Sequence, residues 1–378
     1  MAELSKKEMV KVIEENIGRI NDKSFTIYFY IFDTKGNPSG SLSYIYQTAY
    51  TLKELGYNVC MLHSDDDFIG VEDWLGKKYA ELPHKQHQTS DGKIKDNVEL
   101  RAADFVIIPD IFANVMIALK NAPCKKIALV QNYNWLCESM PMVASFQNLK
   151  INDIITTTET QKQILESYFP NMNIFVVSPS INPVFRNSDK PRKLIVNIVS
   201  KDQSNIHRII KPFHWKYPIY QWVSFNEVRG LPQDVVSDTY REGAITIWID
   251  DETNFGYTPL EALRCGSIVL AKIPDTLADW NFEVDEKTGE KRLTDACLWF
   301  SHIDEVPDML ASIIRTWTLD KIPSEIYTLG HKLDNLYSRE TQAKEIEHVY
   351  INTIVDRRKK DFEEVLAQVK NKKTKEEE

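Results

Sequence analysis

Short apolar runs alternate along this chain with longer segments whose apolar residues recur at helical spacing. The first run covers residues 24–32, the second covers 57–63, and both are rich in aromatic and β-branched residues. Between them, residues 41–55 carry apolar side chains every three or four positions, and Gly56 follows where helices often end. This pattern predicts a strand–helix–strand unit of the kind that builds parallel sheets.

The same alternation continues to the end of the chain. We predict further strands at 105–109, 126–130, 154–158, 174–178, 194–200, 219–225, 244–250 and 267–271. We predict helices at 2–20, 159–168, around 235–240, at 303–317 and at 338–355, and an exposed hairpin at 283–292. Residues 178–193 contain three prolines and no periodicity, which is typical of a linker. The sequence therefore predicts an α/β fold with two doubly wound halves that face each other across a cleft.

Composition adds mainly exclusions. The 378 residues are enough for two domains, and 46 Lys and Arg against 55 Asp and Glu give a net charge of -9, which disfavours broad contact with nucleic acid. The five cysteines are odd in number and form no Cys-x-x-Cys pair, so neither a disulfide framework nor a zinc site is indicated. No apolar run approaches the ~20 residues of a membrane span, and no signal peptide is recognisable. We expect a cytoplasmic protein, and leave peripheral contact with a membrane open.

The segment 250–266 is the most informative part of the sequence, because it combines a strand end, a glycine loop and a helix start. Thr258 is a favourable N-cap residue, Pro259 suits the first helical position, and Glu261 would complete a capping box. The N-terminus of such a helix presents free backbone N–H groups and a positive dipole end. We therefore expect a phosphate site at the start of this helix.

The same segment resembles the nucleotide-sugar domain of GT-B glycosyltransferases, in particular the large retaining family 4. The resemblance lies in Phe-Gly at 255–256, Leu-Glu-Ala at 260–262 and Gly266. The chain departs from the family pattern at Thr253, where the family has the first glutamate of its pair, and at Ile268, where the family has proline.

The first half of the chain carries the resemblance in the same order. Ser-Gly at 39–40 replaces the family's Gly-Gly loop, and the leucine-to-valine run at 52–59 follows at matching spacing. Runs at 158–162, 176–182 and 337–350 also look like family motifs, so the resemblance extends over roughly residues 25–355. It implies a GT-B fold of two Rossmann-like domains. These would be an N-terminal acceptor domain at 1–184, a C-terminal donor domain at 185–337, a helix at 338–356 that crosses back, and a charged tail at 357–378.

The resemblance also implies roles for the residues of this segment. Glu261 would bind the ribose hydroxyls of the donor, and the backbone from Phe255 to Thr258 would hold its distal phosphate. Thr253 would stand beside the sugar, with Asp251 or Glu252 as alternatives after a register shift. The residues expected to bind the donor are Gly40, Thr253, Asn254, Phe255, Gly256, Tyr257, Thr258 and Glu261.

Cations would neutralise the diphosphate leaving group in this family. Lys201 stands at the family's arginine position, while the family's lysine position falls at Ile206, with His207, Arg208 and Lys211 as the nearest basic residues. We select Lys201, Arg208 and Glu261 as the expected catalytic residues.

Amides and a run of acids complete the set of candidates. Gln131 and Asn132 follow a predicted strand where the family often has a histidine near the sugar, so we expect them at the acceptor or the sugar. Three aspartates at 65–67 are similar to the manganese-binding Asp-x-Asp of the other glycosyltransferase fold, but the surrounding motifs are not of that fold. We interpret them as a solvated loop and expect no metal and no cofactor.

The resemblance implies a retaining, hexosyltransferase-like glycosyltransferase. It would move a sugar from a nucleotide diphosphate sugar to a hydroxyl of a glycan, a lipid-linked molecule or another acceptor. Two alternatives stay open. Thr253 and the imperfect pair of cations also fit a catalytically degenerate protein that only binds nucleotide sugars. A transferase that acts on modified nucleic-acid bases would use the same fold.

Overall fold

The computed structural model describes residues 5–87, 96, 98–188, 191–285, 287–318, 333 and 335–371. Its backbone forms two parallel sheets and one small antiparallel hairpin. The sheets come from the two halves of the chain on either side of the linker that the sequence indicates. None of the described helices is long and apolar enough to cross a lipid bilayer.

The N-terminal sheet has seven strands in the order β3-β2-β1-β4-β5-β6-β7. Their bounds are Thr26–Tyr30 (β1), Asn58–His63 (β2), His84–Gln86 (β3), Phe105–Pro109 (β4), Lys125–Val130 (β5), Asp153–Thr156 (β6) and Asn173–Val176 (β7). The central strands β1, β4, β5 and β6 are buried on both faces, as their continuous apolar runs predict, while the edge strands β3 and β7 are partly exposed. Strand order reverses at β1, and ligand crevices form beyond the carboxyl ends of strands at such a switch point.

Helices cover both faces of this sheet. They are α1 (Lys6–Asn21), α2 (Gly40–Glu54), α3 (Glu72–Leu75), α4 (Lys77–Ala80), α5 (Ala113–Ala118), α6 (Tyr133–Ser139) and α7 (Glu159–Tyr168). The two helices that matter most for the cleft begin at side-chain caps. Ser39 Oγ accepts from Leu42 N at the start of α2 (3.4 Å), and Thr158 Oγ1 accepts from Gln161 N at the start of α7 (3.1 Å). These caps fix where each helix leaves its loop.

The C-terminal sheet has five strands in the order β14-β11-β10-β8-β9. Their bounds are Lys193–Ser200 (β8), Ser224–Glu227 (β9), Gly243–Ile249 (β10), Ile268–Lys272 (β11) and Leu298–Phe300 (β14). The hairpin consists of Phe282–Val284 (β12) and Lys291–Leu293 (β13), which confirms the hairpin prediction. The helices are α8 (Gln203–Lys216), α9 (Gln233–Glu242), α10 (Tyr257–Arg264) and α11 (Val306–Thr318).

The C-terminal helix returns to the N-terminal domain. It comprises α12 (Arg339–Ile346), a π-helical segment (Glu347–Val355) and α13 (Asp356–Asn371). Its buried residues Ile346, Tyr350 and Ile354 belong to the core of the N-terminal domain. Arg357 Nη1 also lies 2.6 Å from a buried oxygen of Asp153. The helix continues into the predicted charged tail, of which residues 372–378 lie outside the described residues.

One predicted strand is wrong. Residues 219–225 do not form a single strand, because Pro218–Tyr220 is a turn of 3₁₀-helix and β9 begins only at Ser224. Pro218 has no N–H group for a sheet, and the Tyr220 ring stacks on Phe213 of α8 with centroids 6.0 Å apart. All five cysteines are free thiols.

Candidate functional site

The carboxyl ends of both sheets face a cleft between the domains. Two adjoining cavities fill it, with volumes of about 380 and 360 Å³. Loops after β1, β8 and β10 and the start of α10 line both cavities. The shared lining residues are Pro38, Ser39, Gly40, Lys201, Trp248, Asp250, Tyr257 and Thr258.

The start of α10 differs from the predicted capping box, which is wrong. The helix begins at Tyr257, two residues earlier than predicted, and its N-cap is Gly256 in the left-handed conformation, with φ of 76°. None of the described side chains caps it, so Thr258 and Glu261 do not form the predicted pair. Pro259 has no N–H group and the N–H of Gly256 donates to Thr253, but none of the described side chains accepts from Tyr257 or Thr258. The N–H groups of these two residues, which line both cavities, are therefore available to an anion.

The loop before α10 is braced by its own residues and by Trp280. Gly256 N donates to Thr253 Oγ1 (3.2 Å), and Trp280 Nε1 donates to the carbonyl of Phe255 (2.6 Å). A Cβ atom on Gly256 would lie 3.2 Å from Trp248 Cη2, so the loop needs glycine for both its φ and its space. Thr253 therefore acts first as a brace of this loop, although it also lines the second cavity.

Glu261 lies one turn into α10 and lines the first cavity. Its carboxylate makes no hydrogen bond or ion pair with any residue that the structure describes. Burial raises the pKa of this carboxyl to about 8, since none of the described cations offsets the loss of water around it. Because the Glu261 carboxyl lines a cavity and has no described partner, it could accept hydrogen bonds from the hydroxyl groups of a ligand bound there.

Lys201 and the acids of the loop form ion pairs. Lys201 follows β8 and its Nζ lies 3.0 Å from Asp250 Oδ2 at the end of β10. Asp251 pairs instead with Lys272 (3.1 Å) and does not line either cavity, whereas Glu252 lines the second. Of the acids considered for a register shift, only Glu252 therefore lies at the cleft.

The structure does not bring Arg208 to the cleft. Its guanidinium lies 3.7 Å from Asp304 on the outer side of α8, while Ile206, at the family's lysine position, is buried in the domain core. Arg229, in the loop after β9, lines the first cavity and has no ion pair or hydrogen bond among the described side chains. Sequence reasoning missed Arg229 because nothing in the local pattern shows which loop cation faces the cleft.

The first cavity has an apolar end. Six neighbouring residues of one apolar cluster form it, from the linker, β8, the loop after β9 and α9: Phe185, Val199, Val228, Leu231, Val236 and Tyr240. Arg229 lies beside these residues in sequence and in the cavity wall. A flat, partly apolar ligand such as a nucleobase would fit this end, with polar groups toward Glu261.

Gly40 is the first residue of α2 and faces the other domain. A Cβ atom there would lie 3.1 Å from Tyr257 Cδ2, so the absence of a side chain lets α2 and α10 approach closely. The sequence suggested that Gly40 admits a ligand. Gly40 lines both cavities, and the side chain nearest to the position of its missing Cβ atom is the ring of Tyr257.

Gln131 and Asn132 form a turn after β5 that a buried carboxylate holds. Asp110 Oδ2 accepts from Gln131 N (2.8 Å) and from Asn132 N (2.7 Å), and burial raises the pKa of Asp110 to about 6. Both side chains line the second cavity, as does Trp135. The amide of Asn132 is already used, because its Nδ2 donates to the carbonyl of Glu252 (2.9 Å).

The acidic run at 65–67 is engaged in local contacts. Asp65 accepts from Asp33 N (3.0 Å), and Asp66 accepts from Gln86 Nε2 (2.7 Å). Among the described residues, no group of three or more His, Cys, Asp or Glu side chains is arranged to hold a metal ion.

Comparison with known proteins relates this chain to solved structures only. No family model matches the chain, and no curated protein sequence does. Sucrose-phosphate synthase from Thermosynechococcus elongatus matches with a TM-score of 0.60 at 11% identity, over 88% of this chain and 100% of the other. The catalytic domain of starch synthase IV from Arabidopsis thaliana, bound to ADP and acarbose, matches with 0.56 at 12% identity, over 89% and 99%.

A third similar structure is a mutant of S. aureus TarM in complex with Fondaparinux, alpha-GlcNAc-glycerol and UDP. It matches with a TM-score of 0.60 at 10% identity, over 85% of this chain and 98% of the other. At such low identity these likenesses bear on the fold alone. They confirm the predicted α/β fold class, in which two Rossmann-like domains face each other in the GT-B arrangement.

Proposed function

We propose that the protein is a retaining glycosyltransferase that moves a sugar from a nucleotide diphosphate sugar to an acceptor hydroxyl. The observation that carries this proposal is that one cavity is lined by an uncapped helix N-terminus, Lys201, Arg229 and the unpartnered carboxylate of Glu261. A diphosphate requires cations and N–H donors, and a ribose requires an acceptor. The likeness to structures that hold ADP or UDP supports the same ligand class.

The arrangement of the cavities suggests how the donor would lie. The nucleobase would occupy the apolar end beside Val228 and Leu231, and the ribose hydroxyls would donate to Glu261. The diphosphate would then reach the first turn of α10 and Lys201. The sugar would extend into the second cavity, where Gln131 and Glu252 offer polar groups.

The transfer proposed here needs charge stabilisation more than a protein nucleophile. The bond between the anomeric carbon and the phosphate oxygen breaks, the acceptor oxygen forms its bond on the same face, and the acceptor proton passes to the departing diphosphate. Lys201, Arg229 and the N–H groups of α10 would stabilise the charge that develops on that diphosphate. The proposal includes no metal, so activity should persist in a strong chelator.

A nucleotide-sugar-binding protein without transfer activity is the second candidate. The observation that favours it is the bond from Gly256 N to Thr253 Oγ1, which commits the hydroxyl that stands in place of the family's glutamate to bracing the loop. Under this candidate the donor would bind in the same way, but the sugar would meet few groups that align it for attack.

The experiment that tests the proposal is an assay of nucleotide release and of sugar transfer. Sugars of uridine, guanosine and adenosine diphosphate are offered with a panel of hydroxyl acceptors. Transfer supports the proposal, and the anomeric configuration of the product, read by NMR, tests retention. Binding without turnover over the whole panel supports the second candidate, and the absence of any binding contradicts both.

A further inference from the structure

The loop that faces the proposed phosphate site is bonded to the opposite domain. Asn254, in the middle of this loop, is only 4% exposed. Its Nδ2 donates to Asn132 Oδ1 (3.2 Å) and to Gln161 Oε1 (3.3 Å), which both belong to the N-terminal domain. In return, Asn132 Nδ2 donates to the loop carbonyl of Glu252 (2.9 Å). We call these three side chains, Asn132, Gln161 and Asn254, the amide latch.

Each acceptor of the latch is itself held rigidly. Asn132 Oδ1 also accepts from Asn134 N at the start of α6 (2.9 Å), and Gln161 is fully buried with its Nε2 donated to the carbonyl of Val130 (2.9 Å). The N-terminal side of the latch is therefore fixed to the end of β5. Opening of the cleft would therefore separate the loop from a fixed set of acceptors.

A second contact crosses between the domains beside the latch. Asp279 accepts from Glu159 N (2.7 Å) and from Thr160 N (3.0 Å) at the first turn of α7, the helix that also carries Gln161. Its neighbour Trp280 holds the carbonyl of Phe255 in the loop. The same few residues thus join the domains and shape the loop before α10.

We infer that Asn254 is a positioning residue that couples closure of the two domains to the form of the phosphate-facing loop. Opening the cleft would remove both acceptors of the Asn254 amide and the bond from Asn132 to the Glu252 carbonyl, so the loop would lose the contacts that hold it in this form. Any ligand that prefers this form of the loop therefore favours the closed arrangement. The part of the inference that concerns the ligand rests on the proposed function, and the coupling between loop and domain does not.

The test compares Asn254→Ala and Asn254→Asp with the wild type by hydrogen exchange of the nucleotide-free protein. Aspartate keeps the shape but cannot donate as the amide does. Asn226→Ala, on the exposed edge strand β9, is the matched control. Both Asn254 variants should exchange about ten-fold faster in residues 250–256 and also in residues 159–161 across the cleft.

Faster exchange in the loop alone would show a purely local role and would overturn the inference, as would wild-type behaviour of Asn254→Asp. The second readout is calorimetric titration with nucleoside diphosphates. If the wild type binds one, the Asn254 variants should bind it about ten-fold more weakly, and equal affinity would contradict the coupling. If the wild type binds none, the proposed function fails, while the exchange results still decide whether the latch exists.

Discussion

Lys201 Nζ lies 3.0 Å from Asp250 Oδ2, which joins the ends of two neighbouring strands across the base of the cleft. The two residues are far apart in sequence and meet because β8 and β10 are adjacent and parallel. The lysine side chain is 67% exposed, so the pair is solvated and a stronger anion can compete for the cation. This geometry would keep Lys201 at the cavity wall while the site is empty.

The first prediction concerns this pair. Lys201→Ala should weaken binding of the preferred nucleoside diphosphate by about ten-fold, because it removes a charge-assisted bond to phosphate. Asp250→Asn should instead tighten binding, since it frees the lysine and keeps the oxygen that accepts from Glu252 N. Titrations at low and high salt measure both effects, and both should shrink as salt screens the charges. Equal weakening by the two changes would contradict a competition for Lys201.

The second prediction concerns the pH dependence of stability at Glu261. Burial raises the pKa of this carboxyl from 4.5 to about 8, so the folded chain holds the proton more tightly than the unfolded chain does. The stability that this proton contributes is complete below the unfolded pKa and is lost as the pH rises through the folded pKa. Glu261→Gln removes that loss, so the variant should exceed the wild type in free energy of unfolding near pH 8 and lose this advantage toward pH 4.5.

Urea unfolding at several pH values measures the Glu261→Gln effect. The difference should grow by no more than about 1.4 kcal/mol per pH unit. The same variant should bind nucleotide more weakly, because hydroxyl donors from a ribose favour the ionised carboxylate, and an amide cannot ionise to become that stronger acceptor. A gain in stability together with a loss of affinity is the signature of a binding residue. A stability difference that does not vary with pH would be inconsistent with this account.

The third prediction compares two glycines with positive φ. Gly36→Ala should cost roughly 1–2 kcal/mol, because φ is +82° and nothing lies within 4 Å of the new Cβ. Gly256→Ala should cost about 1 kcal/mol more, because the new Cβ would lie only 3.2 Å from Trp248, which must also shift. It should also reduce nucleotide affinity, whereas Gly36→Ala should not. Chemical denaturation with parallel titrations provides both values, and similar costs for the two variants would show that Gly256 is not tightly packed.

The fourth prediction concerns the attachment of the C-terminal helix. Arg357 and Lys125 both pair with the buried carboxylate of Asp153, each at 2.6 Å. Arg357→Ala should lower the free energy of unfolding by about 1–3 kcal/mol, because it leaves a buried charge with one partner fewer. Lys370, on the same helix as Arg357, forms an exposed pair with Glu14 of α1. Lys370→Ala breaks this pair and should cost less than about 0.5 kcal/mol. Equal effects would show that the buried site does not anchor the helix.

Alternating apolar runs were sufficient to predict most strands, because strands buried on both faces have a strong sequence pattern. The run at 219–225 has the same apolar pattern, but Tyr220 packs against α8 and Trp222 lies exposed, and only the last two residues of the run enter the sheet in β9. Short edge strands such as β3 and β14 have too few residues to show a pattern. The capping box failed because the φ of Gly256, not the chemistry of Thr258, determines where α10 begins.

The site could be predicted only in part. The sequence could predict that residues 255–258 lie together at the cleft, because they are consecutive and form the loop and helix start that the local pattern indicates. The amide latch and the Asp110 turn depend on contacts between residues more than 20 positions apart, and no local pattern reports them. That Arg229 and not the predicted Arg208 faces the cleft likewise needed the structure, since both follow strands of the same sheet.

The central claim, that the cleft binds a nucleotide diphosphate sugar, is tested most directly by calorimetric titration of the protein with uridine, guanosine and adenosine diphosphates. We expect one of them to bind. Arg229→Ala should weaken that binding by about ten-fold, and Arg208→Ala, whose side chain faces Asp304 outside the cleft, should leave it unchanged. Binding of none of the three, or equal loss in the two arginine variants, would contradict the claim.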